Sequence, residues 1–292
     1  MAETPLNPEA SEPVVWLNGQ LSAASEAYIS PFDHGLLTGD GVFETLCVYG
    51  GKPFAETRHY RRLLHSAAAL GLAVPTQAGL SKAMAAVVEA NGLKDARIRI
   101  TLTGGIGPLG SDKGATPDLA LVAASTLPNH ARTASIVTVP YVRNERGALV
   151  GIKSTSYGEN VAALAYARKH GGNEAIFANI AGNLCEGTGS NIFIVLDGRL
   201  ITPTLASGCL AGITRSIVLD LCQRDGIPVK EVDVPIADLK RADEAFLTSS
   251  LREVQPIELI DGSPANANTC PGPISSRLAE AFSRLVAQQI DP

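Results

Sequence analysis

Gly151-Ile152-Lys153-Ser154-Thr155-Ser156-Tyr157 sets one lysine after an apolar run and ahead of a helical segment. A lysine held partly out of water has its ammonium form disfavoured, which makes the amine a usable nucleophile and base. Alone this is a weak signal, because a lysine at a strand end is more often a solvated charge. Further along, Leu184-Cys185-Glu186-Gly187-Thr188-Gly189-Ser190-Asn191-Ile192-Phe193 puts a carboxylate ahead of small, turn-forming residues and then an apolar strand. That order stands an acid beside backbone able to approach a ligand closely. Seen by itself it reads more simply as a β-turn with an exposed glutamate. Then Leu210-Ala211-Gly212-Ile213-Thr214-Arg215 is a glycine-led entry into a helix, whose free N–H groups attract phosphate. An ordinary helix cap has the same look.

Around these stretches the chain reads as strands interleaved with amphipathic helices. Residues 14–17 form a strand entering a hairpin at Asn18-Gly19, and 42–49 a strand closed by Gly50-Gly51. Tyr60, Leu63, Leu64, Ala67 and Leu70 fall at helical spacing over 56–70, and a second helix covers 80–90. Ile98, Ile100 and Leu102 alternate with Arg97, Arg99 and Thr101, so one face of that strand is apolar and the other polar. Residues 118–124 read as a buried strand. The stretch from Ser125 to Arg132 carries Pro128, Asn129 and His130 and lacks periodicity, which marks a linker between two α+β halves. The second half has strands at 134–140, 175–178, 191–196, 229–234 and 244–248, with a hairpin at Asp197-Gly198. Its helices fall at 159–169, 213–224 and 275–287. Strands outnumber crossover helices, so a doubly wound sheet does not fit. No GxGxxG lies between a strand and a helix, and no P-loop is present.

Composition narrows the function classes. The 292 residues are 45% apolar and 18% charged with a net charge of -5, an ordinary globular balance that lacks the basic face of a nucleic-acid binder. No apolar run approaches the roughly 20 residues that span a bilayer. Residues 1–12 are acidic and proline-containing, without a basic then apolar order, and read as a flexible tail rather than a secretory signal. Cys47, Cys185, Cys209, Cys222 and Cys270 are odd in number and widely spaced, which suits reduced thiols in a cytoplasmic protein and small core residues. The histidines are dispersed without HExxH, so no metal site is expected.

Taken in order, the three stretches resemble the signature of the class IV aminotransferase family, the fold-type IV pyridoxal-phosphate enzymes. The resemblance extends over nearly the whole chain. It takes in Phe32-Asp33-His34-Gly35, Gly39-Asp40-Gly41-Val42-Phe43-Glu44, His59-Tyr60-Arg61-Arg62-Leu63 and Leu247-Thr248-Ser249-Ser250-Leu251 through Pro256. It implies an α+β, two-domain fold like that of D-amino acid aminotransferase. A small N-terminal α/β domain over 1–125 and a linker over 126–132 would precede a larger C-terminal cofactor domain over 133–292 with a barrel-like sheet. It implies pyridoxal 5'-phosphate as cofactor, with Lys153 matching the lysine that joins it as a Schiff base and acts as catalytic base. Glu186 matches the carboxylate on the pyridine nitrogen, which keeps the ring able to accept electron density. Arg62 matches the phosphate-binding arginine, whose planar fork suits bidentate contact. Gly212, Ile213 and Thr214 match the helix-start phosphate cradle, and Ser250 a hydroxyl on the same phosphate. A homodimer is implied, acting on a small-molecule amine substrate.

Within the family, Phe43 stands where D-amino acid aminotransferases place a tyrosine, and their arginine–histidine pair is not apparent beyond Thr103-Gly104-Gly105. Phe43-Glu44-Thr45, Arg99 on its polar strand face and Thr248-Ser249-Ser250-Leu251-Arg252-Glu253-Val254 are closer to the 4-amino-4-deoxychorismate lyases. The expectation is therefore a lyase giving 4-aminobenzoate and pyruvate for folate synthesis, with Phe43, Thr45, Arg99 and Tyr157 as substrate residues. In it Arg99 holds a carboxylate, and Lys153 or Thr45 returns a proton. Arg143 and Arg146 are further candidates for a substrate carboxylate. The alternative is a transaminase acting on D-amino acids, (R)-amines or branched-chain amino acids. A non-catalytic binding protein does not suit a chain that keeps Lys153, Glu186 and Arg62.

Overall fold

In a computed structural model, which describes residues 12–265 and 270–292, the chain divides between Leu127 and Pro128 into two compact units. Most of the expected tail over 1–12 lies outside the described residues.

The first unit begins with the hairpin β1 (Val14–Leu17) and β2 (Gln20–Ala23), whose turn residues Asn18 and Gly19 have φ of 46° and 100°. Both lie in the left-handed region that a primed hairpin turn requires. After α1 (His34–Leu37) come β3 (Gly41–Tyr49), β4 (Lys52–Pro53), α2 (Glu56–Leu70), α3 (Gln77–Ala90), β5 (Ala96–Thr103) and β6 (Leu119–Thr126). Among the described residues they build a six-stranded sheet in the order β2-β1-β6-β5-β3-β4. β5 shows how the pattern positions the site. Ala96, Ile98 and Ile100 point to the buried face, while Arg97 and Arg99 stay exposed on the other. α2 packs on β3 and α3 on β1 and β6, with Leu63, Ala67, Leu80, Met84 and Val87 of the helices and Leu46, Val48 and Ile98 of the sheet all buried. Each fully buried Leu or Ile there contributes about 1.5–3 kcal/mol. β6 runs into the stretch read as a linker, because Ser125 still pairs with Arg97 and Thr126 with Ala96.

The second unit holds β7 (Ala134–Arg143), α4 (Gly158–Lys169), β8 (Glu174–Asn179), β9 (Leu184–Gly187), β10 (Asn191–Leu196) and β11 (Arg199–Thr202). There follow α5 (Ile213–Arg224), β12 (Val229–Glu231), β13 (Glu244–Ser249), β14 (Glu253–Ile260), β15 (Ser263–Pro264) and α6 (Pro273–Gln288). The strands run in the order β12-β11-β10-β13-β14-β7-β8-β9, with β15 on β14. One face packs Ile136, Ile176, Leu184, Ile192, Ile194, Leu247 and Ile257 into a single apolar cluster. On the other, Phe193 and Phe246 are cross-strand partners stacked at 5.0 Å, and α5 and α6 lie against β13. α4 covers the far end, where Ala163 and Ala167 meet Val137, Val139 and Phe177. The start of α6 is secured from the sheet, since the Glu244 carboxylate accepts the N–H groups of Ile274 and Ser275. Two sheets of unequal size with helices on them form a mixed α+β fold, not a doubly wound one.

Two expectations need adjustment, and one strand was not expected. The strand read over 229–234 stops at Glu231, because β11 ends at Thr202 ahead of Pro203 and leaves no further partner. β9 was legible only as a turn; pairing of Phe177 with Glu186 and Ile176 with Gly187 draws it into the sheet. β14 accommodates Pro256 opposite Phe246 and starts at Glu253 with a φ of 53°.

Candidate active site

Lys153 lies in the extended connection between β7 and α4, not at a strand end, and is half-buried. Gly151, at a φ of 74°, turns the chain just before it, and α4 begins at Gly158 just beyond. Its Nζ stands 5.9 Å from the centre of the Tyr157 ring. Glu186 enters from β9. Its Oε2 accepts the Leu210 N–H at 2.9 Å, and its Oε1 is 3.3 Å from Arg143 Nε. The Arg143 guanidinium in turn lies 4.1 Å over the Phe177 ring and reaches Glu159 at 3.3 Å. Burial pushes the Glu186 carboxyl above its ordinary value, while Arg143, the Leu210 N–H and the charge of Lys153 all pull it back. Lysine and carboxylate thus belong to one unit. Arg143, read as a candidate for a substrate carboxylate, is instead occupied by two glutamates of its own chain. Arg146 is exposed, with its backbone N–H on Asn144 Oδ1 at 3.0 Å.

The segment entering α5 is gripped from both sides. Glu186 takes the N–H of Leu210, and Asn191 Nδ2 donates to its carbonyl at 2.8 Å. Asn191 Oδ1 lies 1.9 Å from where a Cβ on Gly212 would sit, so only glycine fits there. Gly212 makes no side-chain cap and the first turn of α5 holds no acid, which leaves the positive end of a twelve-residue helix open to an anion. Thr248, the cross-strand partner of Asn191, has a buried hydroxyl without a hydrogen-bond partner among the described residues. Cross-strand partners share a sheet face, so this hydroxyl and Asn191 are on the same side. Ser250 is half-buried in the turn that follows. A lysine, an anchored carboxylate, an uncapped helix start and an unused hydroxyl fit a flat cofactor with a ring nitrogen and a phosphate. Among the described residues no group of three His, Cys, Asp or Glu could hold a metal ion.

The other expected residues belong to the first unit. Arg62 Nε and Nη2 each lie 2.8 Å from an oxygen of Glu44, a bidentate pair completed by His59 Nδ1 at 2.6 Å. The Glu44 side chain is fully buried. Burial is the largest influence on its carboxyl and acts upward, but the charges and hydrogen bonds of Arg62 and His59 outweigh it and hold the carboxyl far below the usual range. On the exposed face of the sheet the Arg99 guanidinium lies 3.7 Å over the Phe43 ring, and Thr45 is the cross-strand partner of Arg99. Asn191, Thr248 and the Leu210 N–H were not foreseen. Asn191 does stand in the quoted Gly-Ser-Asn turn, but its grip on Leu210 joins segments that pattern reading treats separately.

The family model for amino-transferase class IV matches residues 41–260. The chain therefore belongs to the class IV aminotransferase family, whose enzymes work with pyridoxal 5'-phosphate. It is 37% identical over 278 residues to a protein provisionally named a branched-chain-amino-acid aminotransferase in Methanocaldococcus jannaschii, covering 92% of this chain and 94% of that one. It is also 32% identical over 286 residues to the D-alanine aminotransferase of Staphylococcus aureus strain COL, covering 93% and 97%. The structure of a Thermoproteus uzoniensis branched-chain aminotransferase with norvaline superposes with a TM-score of 0.88 at 34% identity, over 96% of each chain. A Legionella pneumophila protein provisionally named a 4-amino-4-deoxychorismate lyase shares the fold, with a TM-score of 0.83 over 89% of this chain and 96% of that one. Its identity of 24% supports the fold alone. The expectation of a lyase thus has less support than its alternative, a class IV transaminase.

Proposed function

We propose that the chain is a pyridoxal-phosphate-dependent aminotransferase that moves the amino group of an α-amino acid to a 2-oxo acid. The geometry behind this reading is Glu186, a half-buried carboxylate held by the Leu210 N–H and the charge of Arg143 in the unit that carries Lys153. Full-length similarity to two named aminotransferases supports transfer over elimination.

When bound, the cofactor supplies an electron sink for negative charge on the substrate carbon. Lys153 would hold it covalently, and its Nζ would take the proton from the substrate carbon and return it. Glu186 would keep a proton on the ring nitrogen, a task for which a carboxylate fixed by the Leu210 N–H and the Arg143 charge is preorganised. The N–H groups of Ile213 and Thr214 with the hydroxyl of Ser250 would hold the phosphate, and the unused hydroxyl of Thr248 joins them. Arg62 is assigned to the phosphate on the family's pattern, and Glu44 fixes its guanidinium. Phe43, Thr45 and Tyr157 would contact substrate, and Arg99 its carboxylate. A homodimer is supported by the exposed apolar side chains Tyr28, Phe32, Leu36 and Leu109 of the first unit, which a second copy would cover. The scattered thiols support a cytoplasmic setting.

The test is a donor panel. Holoenzyme given L-leucine, L-valine or D-alanine with 2-oxoglutarate should produce the donor's 2-oxo acid together with glutamate. Formation of 4-aminobenzoate from aminodeoxychorismate, with no amino transfer from any donor, would overturn the proposal.

A further inference from the structure

Glu174 opens β8 and is almost wholly buried. Its Oε1 accepts the N–H of Thr188 at 3.0 Å, the Thr188 hydroxyl and the N–H of Ala175 at 3.0 Å. Its Oε2 accepts the Ser190 hydroxyl at 3.1 Å and lies 3.6 Å from Arg252 Nη2. Thr188 and Ser190 belong to the tight turn joining Glu186 to Asn191, which is closed by the Gly187 N–H on Ser190 O at 2.7 Å. A Cβ on Gly187 would meet Ser190 Oγ at 2.4 Å and the Glu174 carboxyl carbon at 3.2 Å, so the turn is pressed against this one carboxylate. From the other side the Asn160 amide of α4 holds the Thr188 carbonyl. Arg252 closes the turn that carries Ser250; its own N–H donates to Ser249 Oγ at 3.1 Å, and its Nη1 donates to Gln255 Oε1 at 2.6 Å.

A buried carboxylate needs its acceptors filled, and every donor that fills these comes from β8 itself or from two turns. One turn sets Glu186 and Asn191, the other Ser250. We infer that Glu174 is a positioning residue that ties the ring-nitrogen side of the cofactor site to its phosphate side, so that the two are held as one. This inference rests on the cofactor reading proposed above. Glu174 touches neither cofactor nor substrate in that reading; it acts through Glu186 and Ser250.

The experiment compares Glu174→Ala, Arg252→Ala and the double variant with wild-type holoenzyme. Two quantities are read: the dissociation constant for pyridoxal phosphate and the pH midpoint of the bound cofactor's absorption band. Glu174→Ala should weaken cofactor binding about tenfold or more, the scale of a lost charge-assisted bond, and should move the pH midpoint. Arg252→Ala should weaken binding and leave the midpoint in place. In the double variant the losses should fall short of their product, because both act through one carboxylate. Glu174→Gln, which keeps an acceptor for the Thr188 turn, should recover most of the midpoint and guards against a variant that fails to fold. Wild-type affinity and midpoint in a folded Glu174→Ala, or strictly multiplicative losses, would overturn the inference. A wild-type protein that takes up no pyridoxal phosphate would overturn the cofactor reading itself, and this inference with it.

Discussion

Lys153→Ala protein should fold, fail to hold pyridoxal phosphate covalently, and lose amino transfer by at least about 10³-fold, within the range that a positioned acid–base group contributes. Folding should survive because Lys153 is half-buried in a connection between elements, outside both apolar faces of its sheet. Substitutions away from cores and buried networks change stability by about 0.5 kcal/mol or less. The chemistry should fail because the cation beside Glu186 cannot replace the amine: Arg143 carries a guanidinium, which cannot give up its proton to become a base. Lys153→Arg should fail for the same reason, although it keeps the charge. The measurement is a mass spectrum after borohydride reduction, with an adduct on wild type and none on either variant, beside kcat/KM for transfer. A reduced adduct on Lys153→Ala would sink the assignment.

The second large effect is on stability. Glu44→Ala strips the partner from Arg62 and His59 at a site with no exposed surface on the carboxylate. Removing one member of a buried ion pair costs about 3–5 kcal/mol, since the remaining charge stays desolvated. Urea unfolding at pH 7 should show a loss of that size. The pH dependence has a definite sign. The folded carboxyl titrates far below its ordinary value of 4.5, so the unfolded chain binds the proton more readily. The stabilisation from Glu44 is therefore fully present above pH 4.5 and is lost as the pH falls through the folded value. Wild type should lose stability below that pH more steeply than Glu44→Ala, and parallel curves would contradict the pairing. Cofactor retention should also weaken in this variant, because Glu44 holds the Arg62 guanidinium that is assigned to the phosphate.

Elements whose cause is local were legible in the sequence. α2 over Glu56–Leu70 and α5 over Ile213–Arg224 carry a helical spacing of apolar residues, and Asp197-Gly198 marks a hairpin by its turn chemistry. The alternation in β5 placed Arg99 on the open face correctly. What could not be read depends on partners distant in the chain. β9 is a strand because β8 pairs with it, although Glu186 and Gly187 have turn-forming character. Arg143 is consumed by Glu186 and Glu159, a fact about side-chain geometry that spacing cannot carry. Thr248 and Asn191 are ordinary strand residues until the sheet sets them opposite each other beside Gly212. The choice between transfer and elimination is the least legible of all, because both use the same lysine, carboxylate and helix start.

That choice is also where one measurement is most direct. Holoenzyme is mixed with a single amino donor and no 2-oxo acid, and the bound cofactor's absorption band is followed while the released acid is counted. Amino transfer predicts loss of the band, release of one 2-oxo acid per active site and no more, and recovery of the band when 2-oxoglutarate is added. Continuous product formation from one substrate, with the band unchanged and no acceptor required, would contradict it.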